Sequence, residues 1–186
     1  MGRLKMNVSV IYDSVTGNTG LLAERIRKNI ADSGVLDLVR FEKVSDLKDG
    51  IPGISSPVVF VGSWTDKGTC SVKIESLLQS LQGKKIAYFG TAGFGESEEY
   101  YEKIFNRIKE IIPPGNEVLG SFFCQGKMPA SVNERYKKSL EDLDKNSAEY
   151  RRFAGMIENY SKALSHPDEK DFLELDKWFK NILQKI

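Results

Sequence analysis

Short apolar runs alternate along this chain with stretches whose apolar residues recur at helical spacing, and that alternation limits the fold more than any other feature. The runs Met6 to Tyr12, Leu36 to Phe41, Pro57 to Val61, Lys85 to Phe89 and Glu117 to Cys124 read as strands. Between them, Leu22, Ile26 and Ile30 line one face of a first helix, Leu21 to Ile30. Ile74, Leu77, Leu78 and Leu81 follow the i, i+3, i+4, i+7 rule, and Tyr101, Ile104, Phe105, Ile108 and Ile111 do likewise. Strand and helix in regular succession build βαβ units, whose strands lie parallel in one sheet. Ile51-Pro52-Gly53-Ile54 breaks the pattern as a connecting loop, and Pro113-Pro114-Gly115 stops the third helix.

The connection from the first strand to the first helix reads Ser14-Val15-Thr16-Gly17-Asn18-Thr19. Capping a helix needs one Ser, Thr or Asn. Here four of the six positions are of those types and another is Gly, which is more than a cap requires. At a helix start several unpaired backbone N–H groups point outward, and with the positive end of the helix they attract a phosphate. No Lys or Arg lies between Lys5 and Arg25, so dipoles and hydroxyls do this binding without a cation nearby in sequence. The Gly-x4-Gly-Lys-Ser/Thr loop of nucleotide triphosphatases is absent, and so is Gly-x-Gly-x-x-Gly after this strand. A single phosphate monoester fits the loop best, and flavin mononucleotide (FMN) carries one.

At these residues the chain resembles the flavodoxin family, whose phosphate loop Ser/Thr-x-Thr-Gly-x-Thr is matched by Ser14, Thr16, Gly17 and Thr19. The second match is Gly62-Ser63-Trp64-Thr65-Asp66, after the third strand, where flavodoxins often set an aromatic residue against the flavin ring. The third is Gly90-Thr91-Ala92-Gly93-Phe94-Gly95-Glu96, which in the family supplies the other side of the flavin pocket. The resemblance is close over residues 6–124 and looser beyond. It implies a doubly wound α/β fold with a five-stranded parallel sheet in the order 2-1-3-4-5, and FMN at the C-terminal ends of the strands. The cofactor-binding residues it implies are Ser14, Val15, Thr16, Gly17, Asn18 and Thr19; Ser63, Trp64, Thr65, Asp66 and Lys67; and Thr91, Ala92, Gly93, Phe94 and Gly95. Trp64 sits in a polar stretch, which suits stacking on a flat ligand better than core packing. Phe94 and Tyr100 are alternatives for the opposite face. Lys67, beside Asp66, either lies close enough to favour a reduced, negatively charged flavin or is a solvated surface ammonium, and the second reading is preferred.

Other chemistries on similar folds lack their residues here. Neither Cys70 nor Cys124 begins the Cys-x5-Arg loop of the small tyrosine phosphatases, and Ser63-Trp64 stands where a receiver domain needs its phosphorylated Asp. No protein catalytic residue and no metal ligand set is assigned. The two cysteines read as buried thiols in a reducing compartment, and His166, before Pro167, as a turn residue. With 27 basic and 26 acidic residues no global field favours nucleic acid or an anionic membrane, and the marked acidity of many flavodoxins is missing. No signal peptide or apolar span of about 20 residues appears, so a cytoplasmic protein is expected.

A chain of 186 residues is expected to form one domain, with the core in 6–124 and a helical elaboration in 127–186. Helices are expected near Asn133–Leu143 and Ser147–Leu164. Phe172, Leu175, Phe179, Ile182 and Ile186 mark a closing helix. By resemblance the function is electron transfer between redox partner proteins, a donor reductase and an acceptor enzyme, from a monomer or homodimer. An NAD(P)H-dependent FMN quinone or small-molecule reductase is the alternative, and a non-redox FMN-binding module is a third class.

Overall fold

The computed structural model describes residues 5–47, 53–95 and 97–186. Ile51 and Pro52 of the expected connecting loop, and Glu96 at the end of the third glycine-rich segment, lie outside the described residues. The parallel strands are β1 (Met6–Tyr12), β2 (Leu36–Lys43), β3 (Val58–Asp66), β5 (Lys85–Ala92) and β6 (Glu117–Gln125), in the order β2-β1-β3-β5-β6. That is the 2-1-3-4-5 arrangement of five parallel strands expected from the sequence. A two-residue strand, β4 (Thr69–Cys70), adds to it by pairing antiparallel with Thr65 and Asp66 at the end of β3. Lys67 and Gly68 make the reversal, with φ of 48° and 82°. Two consecutive left-handed residues are what a two-residue hairpin turn requires. The polar stretch after Gly62 is therefore the arm of a hairpin and not an open loop; a two-residue strand is too short to leave an alternation in the sequence.

Both faces of the sheet are buried, which explains why its strands read as nearly continuous apolar runs. On one face Val8, Val10, Phe60 and Phe89 pack under α1 (Asn18–Ser33) and α6 (Glu169–Leu183) through Leu22, Ile26, Leu175, Phe179 and Ile182. On the other, Ile11, Val59, Val61 and Tyr88 pack under α2 (Val72–Ser80) and α3 (Glu98–Ile111) through Ile74, Leu78, Ile104 and Ile108. Cys70 and Cys124 are free and buried, and burial pushes the Cys70 thiol up to about 11.

The chain after β6 divides in two. Helix α4 (Ala130–Glu141) buries no residue, and α5 (Ala148–Ala163) buries only Tyr160 and Ala163. The two lean on each other, with Tyr136 and Phe153 ring centroids 6.3 Å apart. Helix α6, in contrast, belongs to the layered core. Phe179 stacks on Phe60 at 5.6 Å and 23°. Arg25 of α1 clasps Asp176 of α6 through two hydrogen bonds of 2.9 and 2.6 Å, and Asn29 adds a third of 2.8 Å. Those bonds, Arg25 foremost, hold the Asp176 carboxyl below its ordinary range.

If α6 closes the core, Phe179→Ala costs about 3–5 kcal/mol in urea unfolding. A cost inside the ±0.5 kcal/mol typical of surface changes would show that α6 is peripheral.

Candidate functional site

The ends of β1, β3 and β5 carry all three segments that the sequence singles out. The strands are parallel and adjacent, so their C-terminal ends lie on one rim.

At the first segment β1 passes into α1 through a turn at Gly17, whose φ of 90° is left-handed and suited to glycine. Val15, Thr16 and Gly17 are exposed, while Ser14, Asn18 and Thr19 are buried. The buried hydroxyls are already engaged. Ser14 Oγ accepts from the Gly20 N–H at 3.2 Å, and Thr19 Oγ1 shares a hydrogen bond of 2.9 Å with Thr91 Oγ1 on β5. Thr16 Oγ1 accepts from Asn18 Nδ2 at 2.9 Å and still faces solvent. The N–H groups of Thr16, Gly17, Asn18 and Thr19 have no hydrogen-bond partner among the described residues. Four unclaimed donors at a helix start, beside an exposed hydroxyl, form a cradle able to receive an anion. The residues present therefore fit the phosphate end of FMN.

The second segment is the β3–β4 hairpin. Ser63 is fully buried and spends its hydroxyl on structure, donating to the Trp64 carbonyl at 2.8 Å and accepting from the Ser71 N–H at 2.9 Å. Trp64 is half-buried, and its indole N–H donates to Asp13 Oδ2 at 3.2 Å. That bond turns the indole edge toward the end of β1. A cleft of about 460 Å³ opens there, lined among others by Asp13, Val15, Lys43, Trp64, Asp66 and Lys73. Thr65 and Asp66 are half-buried in the ladder, and Lys67 is exposed at the tip. The Gly68 carbonyl accepts from Arg107 Nη1 at 3.3 Å, which ties the tip to α3.

The third segment leaves β5 with Thr91 and Ala92 buried, Gly93 and Gly95 half-buried and Phe94 exposed. Phe94 meets Tyr100 edge-on at 6.3 Å and 74°, so the two candidate aromatics form one pair. The Gly93 carbonyl accepts from two amides, Gln125 Nε2 at 3.0 Å and Asn159 Nδ2 at 2.9 Å.

Asp13, Gln125 and Asn159 escaped the sequence reading. Gln125 and Asn159 lie 32 and 66 residues from the carbonyl they hold, in no motif, and only folding reveals them. Asp13 adjoins the first segment, and its acidity beside a phosphate loop is the signal that could have drawn notice. His166 Nδ1 lies 2.6 Å from Asp171 Oδ2, which also accepts from the Asp168 N–H at 2.8 Å, while Asp168 accepts from the Asp171 N–H at 3.0 Å. The three side chains come within 4.8 Å of one another, and the hydrogen bonds account for them as the N-terminal cap of α6.

Residues 9–180 match the flavodoxin domain family. The chain belongs to that family. It is 36% identical over 181 residues to the flavodoxin-like domain-containing protein BilS of Clostridioides difficile strain CD3, covering 97% of this chain and 98% of the relative. It is 34% identical over 178 residues to the BilS of Clostridium symbiosum strain WAL-14163, covering 89% and 90%. In fold it resembles a flavodoxin from Streptococcus pneumoniae TIGR4, with a TM-score of 0.58, 16% identity and coverage of 97% and 99%. Oxidised flavodoxin 2 from Bacillus cereus has a TM-score of 0.54 at 16% identity, covering 97% and 99%. Flavodoxin-family membership makes this a flavin-binding redox protein. None of the described helices is long and apolar enough to cross a membrane.

The two threonines of the cradle differ in their bonds and so in the outcome of mutation. Thr19→Ala strands the buried Thr91 hydroxyl and lowers stability by about 1–3 kcal/mol in urea unfolding, whereas Thr16→Ala leaves stability within about 0.5 kcal/mol of wild type. Equal costs would mean that the Thr19–Thr91 bond contributes nothing.

Proposed function

We propose that this protein binds FMN noncovalently, with its phosphate in the Thr16–Thr19 cradle, and carries electrons between redox partner proteins. The observation that carries the reading is the set of four unclaimed N–H donors at the start of α1. Bound FMN supplies one- and two-electron redox chemistry, so no acid, base or nucleophile is asked of the protein. The chain's own residues bind and shield. The Thr16 hydroxyl and the backbone donors take the phosphate, Trp64 covers one side of the ring, and the Phe94–Tyr100 pair covers the other. The Gln125 and Asn159 amides hold the Gly93 carbonyl, and with it the third segment, in one place. The reading is supported by the family, in which such domains work as flavoproteins.

The alternative, an NAD(P)H-dependent quinone or small-molecule reductase, draws support from one feature. Helix α5 is bonded to the third segment through Asn159 and stands where it can wall a substrate cleft.

Apoprotein titrated with FMN, FAD and riboflavin is expected to take up FMN most tightly, and mass spectrometry of the released cofactor to return FMN. FAD, or no flavin, defeats the proposal. Steady-state oxidation of NADH or NADPH with a quinone by the FMN-loaded protein would establish the reductase in place of the carrier.

The ring-side assignments have their own test in a redox titration of the bound flavin. Trp64→Ala admits water, raises the potential of the second electron and weakens FMN and riboflavin alike. If Lys67 lies near the ring, Lys67→Glu lowers that potential, by a Coulomb term of about 1–4 kcal/mol at ~4 Å that shrinks with distance and salt. No shift in either variant places the hairpin away from the flavin.

A further inference from the structure

The sequence offers the cradle no cation within its own stretch, since Lys5 and Arg25 are the nearest basic residues on either side. Arg25 is committed to Asp176. The fold, however, brings a lysine from the far end of the sheet to the same place. Beyond β6 the backbone of Gly126 and Lys127 is pinned at three points. The Gly126 N–H donates to the Ala92 carbonyl at 2.9 Å, and the Lys127 N–H donates to the His166 carbonyl at 3.1 Å. The Lys127 carbonyl accepts from Asn18 Nδ2 at 2.8 Å, and the same Nδ2 donates to Thr16 Oγ1 at 2.9 Å.

One amide thus joins the cradle's exposed threonine to Lys127. The approach is tight: a Cβ on Gly126 would sit 2.7 Å from Asn18 Nδ2, so position 126 has room only for glycine. Asn18 is 4% exposed, and its Oδ1 is buried with no partner, an acceptor held at the first turn of α1. The Lys127 side chain is exposed, and no salt bridge or side-chain hydrogen bond engages it among the described residues. Its flexible four-carbon stem carries a compact ammonium from an anchored backbone.

We propose that Lys127 is the cation of the phosphate site, its ammonium pairing with the terminal phosphate of FMN that the Thr16–Thr19 N–H groups cradle. The inference rests on the FMN reading above and assigns a further binding residue to it. Two other lysines, Lys43 and Lys73, line the cleft beside Trp64. They share that cleft with the carboxylates of Asp13 and Asp66. The Lys127 backbone lies against Asn18 in the first turn of α1, where the unclaimed donors lie.

The geometry explains how a phosphate loop without a local cation acquires one. The charge is supplied by the segment that leaves the last strand, and Asn18 is the connection between them. FMN is thereby favoured over riboflavin by a charge as well as by dipoles, and its binding becomes sensitive to ionic strength.

The test titrates apoprotein with FMN and with riboflavin at low and high salt, for the wild type and for Lys127→Gln, Lys127→Glu, Lys127→Arg and Lys73→Gln. Lys127→Gln is expected to weaken FMN by about tenfold, as for loss of one charge-assisted contact. It should flatten the salt dependence and leave riboflavin unchanged. Lys127→Glu weakens FMN further, and Lys127→Arg restores most of the affinity. FMN affinity unchanged in Lys127→Glu overturns the proposal. Equal losses for FMN and riboflavin overturn it too, because Lys127 is then scaffolding, and so does a loss confined to Lys73→Gln. Wild-type apoprotein that takes up neither ligand defeats the FMN reading itself. That result is distinct from tight FMN binding that ignores Lys127.

Discussion

Parallel strand pairing is the constraint on which the rest of the structure depends, because five strands that all run one way deliver their C-terminal ends to a single rim. The crossovers from β1, β3 and β5 run back through α1, α2 and α3, and with α6 these helices cover both faces of the sheet. The crossovers from β1 and β5 begin on that rim, so the Ser14–Thr19 turn and the Thr91–Gly95 turn become neighbours. The Thr19–Thr91 hydroxyl pair, 2.9 Å apart, records how closely they meet. A site with its parts on separate strands is rigid where it is anchored to the sheet and open where the turns leave it.

The turn at β1 keeps its donors open because they have nowhere else to go. The first N–H groups of a helix lack partners one turn back. Ser14 Oγ satisfies Gly20, and the Gly17 carbonyl accepts the N–H of Leu21 at 3.0 Å. The four N–H groups before Gly20 remain open, at the positive end of the helix. Burying the Ser14 and Thr19 side chains costs nothing in hydrogen bonds, since each hydroxyl finds a partner.

Side-chain amides bind the later part of the chain to that rim. Asn18 bridges Thr16 and Lys127, while Gln125 and Asn159 converge on the Gly93 carbonyl and on each other, with Gln125 Nε2 3.0 Å from Asn159 Oδ1. Amides suit this work because each carries both donors and an acceptor without a charge to desolvate. Through them the α4–α5 pair, which contributes little to the core, is coupled to the segment that leaves β5.

The amino-acid sequence by itself determined the layered architecture. The apolar runs and helical repeats had to bury two faces, and only a parallel sheet with helices on both sides does so. It also determined the open donors at the start of α1, since Ser14, Thr16, Gly17, Asn18 and Thr19 are contiguous and their chemistry is local to one strand–helix turn. What the tertiary structure decided is everything that depends on residues far apart in the chain. The β3–β4 hairpin engaged the Ser63 hydroxyl with the Trp64 carbonyl and the Ser71 N–H and aimed the Trp64 indole at Asp13. Helix α6 joined the core and left α4 and α5 as the true addition to it. Lys127, Gln125 and Asn159 reached the rim although no spacing announces them. Contacts within one turn leave a pattern in sequence because the intervening geometry is nearly constant. Contacts across tens of residues leave none, because the path of the chain between them is set by the packing of the whole core.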